Sequence, residues 1–169
     1  MENDFFQRSV ILICEYNTEG CFGLVLNNYL DINFTNLQED ILNINAKIAI
    51  GGPVDAKNLF YLHTFGAKIP NSEKVTEQIY LGGDYTVLME TLRSVSNPES
   101  HVRFFLGYSG WSQGQLDDEI NEKSWIVVQS DMPELIMDTR KSDLWQEGLQ
   151  RLGRKYTLFS QIPLNPNNN

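Results

Sequence analysis

Two apolar runs separated by a short turn-forming stretch constrain this chain more than any other feature. Ser9 to Cys14 reads SVILIC and Cys21 to Asn27 reads CFGLVLN, with EYNTEG between them. β-Branched side chains lose rotamer freedom in a helix and pack well on a pleated surface, so both runs are predicted strands. A link this short joins antiparallel neighbours, because a parallel crossover needs a dozen residues or more. A chain that starts this way fits a mixed sheet better than a doubly wound parallel one.

The remaining pattern alternates irregularly between strand and helix. Thr35 to Leu42 has helical spacing; Ala46 to Ile50 and Leu59 to His63 are predicted strands, the former ending at Gly51-Gly52-Pro53. A polar loop, Phe65 to Glu77, leads to a short strand, Ile79 to Leu81. A helix capped by Asp84 then places Tyr85, Leu88, Leu92 and Val95 on one face, and Asn97-Pro98 ends it. Val102 to Leu106 reads as a strand covered on both faces, and GYSGW (Gly107 to Trp111) as the turn into a helix with Ser112 and Gln115 at capping-box spacing. Trp125 to Val128 is a predicted strand, Asp131 to Glu134 opens a short helix, and Leu144 to Leu152 is an amphipathic helix stopped by Gly153. We expect one domain over residues 1–162 and a flexible polar tail over 163–169.

Composition narrows the function classes. Of 169 residues, 41% are hydrophobic and the net charge is −9, so the chain can bury a core but lacks the cationic surface that duplex DNA demands. Arg140-Lys141 with Arg151, Arg154 and Lys155 form a local basic stretch, which reads as a solvated helix face. Apolar runs are too short to span a bilayer, the Met1-Glu2-Asn3-Asp4 start is not that of a signal peptide, and two cysteines suit a reducing compartment; we expect a cytoplasmic protein without membrane contact.

Chemistry-bearing residues are sparse. Cys14 reads as a buried inert thiol, although Cys14 and Cys21 could face one another across the hairpin. Two His and two Cys without CxxC or HxxxH spacing predict no metal, and without GxGxxG or a P-loop no cofactor is expected. Ser109 stands in Gly-Tyr-Ser-Gly, which is not the GxSxG spacing of a hydrolase elbow. Arg8, ahead of an apolar strand, fits a strand-end ion pair with a carboxylate better than a substrate contact, both being open. Gly51-Gly52-Pro53 reads as a tight turn needing positive φ.

The segments FFQRSVILICEYNTEGCFGLVLN, IGGPV, FYLH and above all LGYSGWSQGQLDDEINEKSW resemble the YqgE/AlgH family of bacterial proteins, in order and over nearly the whole chain. The resemblance implies an α+β fold: a mixed, bifurcated or partly barrel-like sheet surrounded by helices. It implies no defined activity; members carry the label of transcriptional regulator because one was linked to control of alginate production. Family members also tend to have a strand ahead of the phenylalanine and RSV motif, a His where this chain has Tyr16, and Ala or Ser in place of Cys21.

Taken together, these readings favour a binding or regulatory module acting through a protein or small-molecule partner. Its candidate surface comprises Arg8, Gly51, Gly52, Pro53, His63, Gly107, Tyr108, Trp111 and Gln115, with the GGP turn and the GYSGW block expected to sit together and form the main concavity. The alternative is an enzyme in which Glu15, His63 or Cys14 converges on the GYSGW block.

Overall fold

The computed structural model describes residues 4–33, 46–129, 133–140, 143–154 and 156. The expected hairpin forms: β1 (Ile11–Asn17) pairs antiparallel with β2 (Gly20–Val25). Its strands run further than expected, through most of EYNTEG. The Asn17 side-chain carbonyl accepts the amides of Glu19 at 2.8 Å and Gly20 at 3.2 Å, which closes the turn in two residues.

Next come β3 (Tyr29–Asn33), which sequence periodicity did not suggest, β4 (Lys47–Ile50) and β5 (Val54–His63), which begins five residues before the expected Leu59. The polar loop contains a two-residue β6 (Glu73–Lys74) that pairs with β7 (Tyr80–Leu81). Helix α1 (Tyr85–Arg93) is capped as predicted, Asp84 accepting the Val87 amide at 3.0 Å, and buries Leu88, Met89 and Leu92. β8 (Val102–Ser112) follows, then the helices α2 (Gln115–Asn121), α3 (Pro133–Met137) and α4 (Leu144–Arg151).

β8 organises the sheet. Strand order is β1-β2-β8-β5-β7-β6, and β4, itself paired with β3, also pairs with β8. The first half of β8 lies parallel to β4, with Ile48 opposite Phe104 and Ile50 opposite Leu106; its second half lies antiparallel to β2, with Gly23 opposite Ser109 and Gly20 opposite Ser112. β5 flanks β8 on its other side. The sheet therefore forks part-way along one strand and curls into a half-barrel, the α+β architecture that the resemblance implied.

Side-chain alternation along β8 splits the core in two. Phe104 packs with Ile48, Tyr61 and Leu88 under α1, whereas Phe105 packs with Leu24, Leu62, Leu135 and Leu144 under α3 and α4. Both faces are thus covered, as the apolar run from Val102 predicted.

Four expectations need correction. GYSGW is not a turn but lies in the second half of an eleven-residue strand, because Ser109 to Ser112 pair one by one with Gly23 to Gly20 of β2. The helix behind it starts after Gly114 (φ 74), and only half of the capping box forms: Gln115 accepts the Ser112 amide at 3.1 Å, but Ser112 does not cap the helix. Trp125 to Val128 forms no strand and joins no ladder among the described residues. Gly51 and Gly52 do not have positive φ; close backbone approach explains them. The predicted helix at 35–42 and tail at 163–169 lie outside the described residues.

Candidate functional site: a branch point and the cleft beside it

The GGP turn and the GYSGW block do meet, at the fork of the sheet. The Gly51 amide donates to the Leu106 carbonyl at 2.8 Å, its carbonyl accepts the Val25 amide at 2.9 Å, and the Ser109 hydroxyl donates to the same carbonyl at 3.1 Å. A Cβ on Gly52 would lie 2.1 Å from the Tyr108 backbone, and one on Gly107 (φ +68) 2.5 Å from the Gly52 carbonyl oxygen. These glycines exist so that three backbones can touch. The junction is filled: Gly51, Gly52, Gly107 and Ser109 are buried, and Tyr108 packs its ring against Phe22 and Phe60 at 4.8 and 5.5 Å. Pro53 is exposed beside it.

Concavity begins one step further along β8, at Trp111. Its ring is 7% exposed, and its indole donates to Glu119 at 3.0 Å. Trp125 donates to the same Glu119 oxygen at 2.6 Å, and the Gln115 side-chain amide donates to the other at 2.9 Å. The two indoles sit edge to face at 6.1 Å, with Phe6 against Trp125 at 5.8 Å. Burial pushes the Glu119 carboxyl up, but the bonds from Trp125, Gln115 and Trp111 outweigh it and hold the carboxyl below its ordinary value. Glu119 thereby keeps α2 and residues 124–129 against the end of β8. The expectation that Trp111 is mostly buried with a paired indole is met.

Behind this clamp lies a cleft of about 780 Å³ between β1, α2, residues 124–129, α3 and α4. That volume suits a small-molecule or short-peptide ligand. Trp111, Trp125 and Trp145, all the tryptophans of the chain, line it, together with apolar side chains of β1 and the helices. Among the described residues the charged groups lining it are Arg8 and Lys123, both cations, although the chain as a whole is strongly acidic. The Arg8 guanidinium lies 4.7 Å over the Trp145 ring, a cation–π contact.

Of the expected surface, then, Arg8 and Trp111 line the cleft, and Gln115 supports it through Glu119. Gly51, Gly52, Gly107 and Tyr108 build the adjacent fork. His63 belongs to neither. It faces Val102 at the far end of β8, donates from Nε2 to the Gly82 carbonyl at 3.1 Å, accepts the Phe65 amide, and stacks near Phe65 and Tyr80. Burial lowers its pKa, against the raising effect of the Gly82 bond. His101 is at the same end, bonded to Thr64 at 2.8 Å.

The hairpin residues do not assemble into a catalytic group. A bulge at Cys14 sets Tyr16, not Cys14, opposite Cys21, and both thiols are free. Among the described residues β1 pairs only with β2, and Cys14 is partly covered rather than fully enclosed; burial nevertheless pushes its thiol up to about 12. Glu15 bonds Asn17 at 2.6 Å, and Tyr16 donates to Asp117 at 2.9 Å, tying the hairpin to α2.

Sequence reasoning missed Glu119 as the meeting point of two indoles, although Gln115 and Glu119 are spaced to share a helical face. It also missed Arg103, 1% exposed, whose guanidinium donates to the carbonyls of Leu26 and Ile136 and, at 2.9 Å, to the Tyr29 hydroxyl. Burial lowers its pKa to about 10, which leaves it cationic at neutral pH, and it rivets α3 to the sheet. An arginine inside an otherwise apolar strand run was the available signal.

The family model described as AlgH-like matches residues 1–157. This chain belongs to the AlgH-like family. A UPF0301 protein of Bacteroides thetaiotaomicron is 35% identical over 162 residues, covering 95% of this chain and 82% of the relative. One from Chlamydia caviae is 34% identical over 163 residues, covering 95% and 85%. Two solved structures share the AlgH-like fold, each at 24% identity: a crystal structure of a Corynebacterium diphtheriae protein (TM-score 0.76, covering 96% of this chain and 86% of that one) and the solution structure of AlgH from Pseudomonas aeruginosa (TM-score 0.72, covering 98% and 89%). No helix among the described residues is long and apolar enough to cross a membrane.

Proposed function

We propose that this member of the AlgH-like family is a binding module, and that its site is the tryptophan-lined cleft behind Glu119. The observation that carries this reading is the cleft itself: about 780 Å³ lined by three indoles and two cations. Aromatic walls supply contact area at low entropic cost, and a cation such as Lys123 in an apolar lining favours an acidic group. A regulatory role would follow from occupancy of this site by a partner or small ligand, in a cytoplasmic setting that suits the two free thiols. The enzyme reading is disfavoured, because His63 pairs with Val102 at the start of β8 rather than joining Cys14 and Glu15 of β1, and each is engaged elsewhere.

The test uses intrinsic fluorescence, since every tryptophan lines the cleft. A medium-chain fatty acid, an apolar tail with one carboxylate, should shift the emission saturably and raise the melting temperature by mass action. Gly148 lines the cleft on α4, and nothing lies within 4 Å of where its Cβ would be. Gly148→Leu should fill that space, remove the response and leave the fold intact. A response that persists in this variant would place the site elsewhere.

A further inference from the structure

We infer that His63 is a proton-operated latch: neutral, it clasps the neck of the excursion formed by residues 64–84 and holds it shut; protonated, it lets that excursion open. The device lies at the far end of β8 from the cleft and does not depend on what the cleft binds.

The clasp has two ends. The excursion leaves β5 directly after His63 and returns through β7 into Gly82, Gly83 and the Asp84 cap of α1. At its start the Phe65 amide donates to Nδ1 of His63 at 3.3 Å, and at its end the Gly82 carbonyl accepts from Nε2 at 3.1 Å. A backbone amide only donates and a carbonyl only accepts, so these partners fix one neutral tautomer, with Nε2 protonated and Nδ1 bare. One ring thus joins both sides of the neck. It is 0% exposed, so water does not stand in for either partner.

What the neck closes over is apolar. Ile69 and Ile79, 1% and 0% exposed, both belong to the excursion. Its own closure is reported by two backbone bonds, from the Val75 amide to the Ile79 carbonyl at 2.9 Å and from the Asp84 amide to the Pro70 carbonyl at 2.8 Å.

Protonation turns the clasp against itself. An Nδ1–H would face the Phe65 N–H, donor against donor, and the new charge would sit in a dry site. The surrounding groups offer it no compensation. Tyr80 of β7 and Phe65 stack near the ring, and His101 stacks on Phe65 at 5.2 Å while bonding Thr64. Lys74 of β6 is taken up by Glu77, and Arg103, next to Val102 on β8, turns its guanidinium to the carbonyls of Leu26 and Ile136. No carboxylate is a partner of the ring among the described residues. Burial accordingly lowers the pKa of the closed ring, whereas an opened one titrates near the ordinary 6.5. The latch therefore holds fully above that pH and loosens as pH falls below it.

The experiment is native-state amide exchange on the full chain, corrected for the intrinsic pH dependence of exchange. Protection at Val75 and Asp84 should fall by up to about tenfold between pH 7.5 and 5.5. Opening the neck alone exposes little surface, so this exchange should be insensitive to dilute urea, unlike exchange at Val25 and Ile50 beside the fork, which needs global unfolding. His63→Gln supplies an amide donor and a carbonyl acceptor that do not titrate, and should abolish the pH dependence at Val75 and Asp84; His101→Gln should leave it in place. Imidazole nitrogen NMR of the unaltered protein needs no variant: at pH 7.5 it should show Nε2 protonated and Nδ1 bare, and ionisation of this ring should coincide with the loss of protection. The latch is overturned by the other tautomer, by protection at Val75 and Asp84 that ignores pH or falls only through the urea-sensitive unfolding shared with Val25 and Ile50, or by a pH dependence that survives His63→Gln or vanishes in His101→Gln.

Discussion

Glu119 shows how much of this protein's local order depends on one carboxylate. It accepts from Trp111, Trp125 and Gln115, so three elements are positioned by a group that must stay ionised to accept all three well. Truncating the buried partner, Trp111→Ala, should cost about 3–5 kcal/mol in chemical denaturation, the usual loss for a large core aromatic. Acid should act on the same cluster. Because the folded Glu119 pKa is below the ordinary 4.5, its contribution is fully present above about that pH and is lost as pH falls through the folded value. His63 contributes an earlier loss: burial favours its neutral form, so stability declines as pH drops below its ordinary 6.5 and the unfolded chain takes up the proton. Denaturation midpoints measured from pH 8 downward should therefore fall in two stages, and Glu119→Gln, which keeps an acceptor but does not titrate, should lack the lower one.

At the scale of elements, two glycines with opposite roles make contrasting predictions. Gly52 sits where β8 passes within backbone contact, so Gly52→Ala should cost about 3 kcal/mol or more, because the obstructing atoms are main chain and cannot swing aside. Gly148 is inside α4 with open space around its missing Cβ, so Gly148→Ala should raise stability by about 0.5–1 kcal/mol, the helix-propensity gain. Thermal or urea unfolding of the pair checks both signs. Neither role was legible from sequence alone. GG before proline reads equally as a turn, and GYSGW as a break, because glycine required for close packing looks the same as glycine required for a bend. Trp125 to Val128 illustrates the converse: strand composition expresses a preference, yet the segment joins no ladder among the described residues, because a strand also needs a neighbour to pair with.

At the scale of the molecule, net charge governs what the surface tolerates. With a net charge of −9, the purified protein should show no retardation of generic duplex DNA in a gel shift at physiological salt, and any weak binding at low salt should vanish as salt rises. A sequence-selective shift by the protein alone would contradict that and would favour direct action on DNA over action through a partner. The sequence by itself determined the antiparallel hairpin, the Asp84-capped helix, the doubly covered strand at Val102 and the family, because each depends on neighbours in the chain: β-branched runs, a cap spacing, a continuous block such as GYSGWSQGQL. Only the tertiary structure decided where β8 changes partners, that His63 lies at the opposite end of the strand from Trp111, and that Arg8, Lys123 and three distant tryptophans face one cleft. Those are contacts between residues far apart in the chain, and local pattern carries no information about which distant surface will close over a given face.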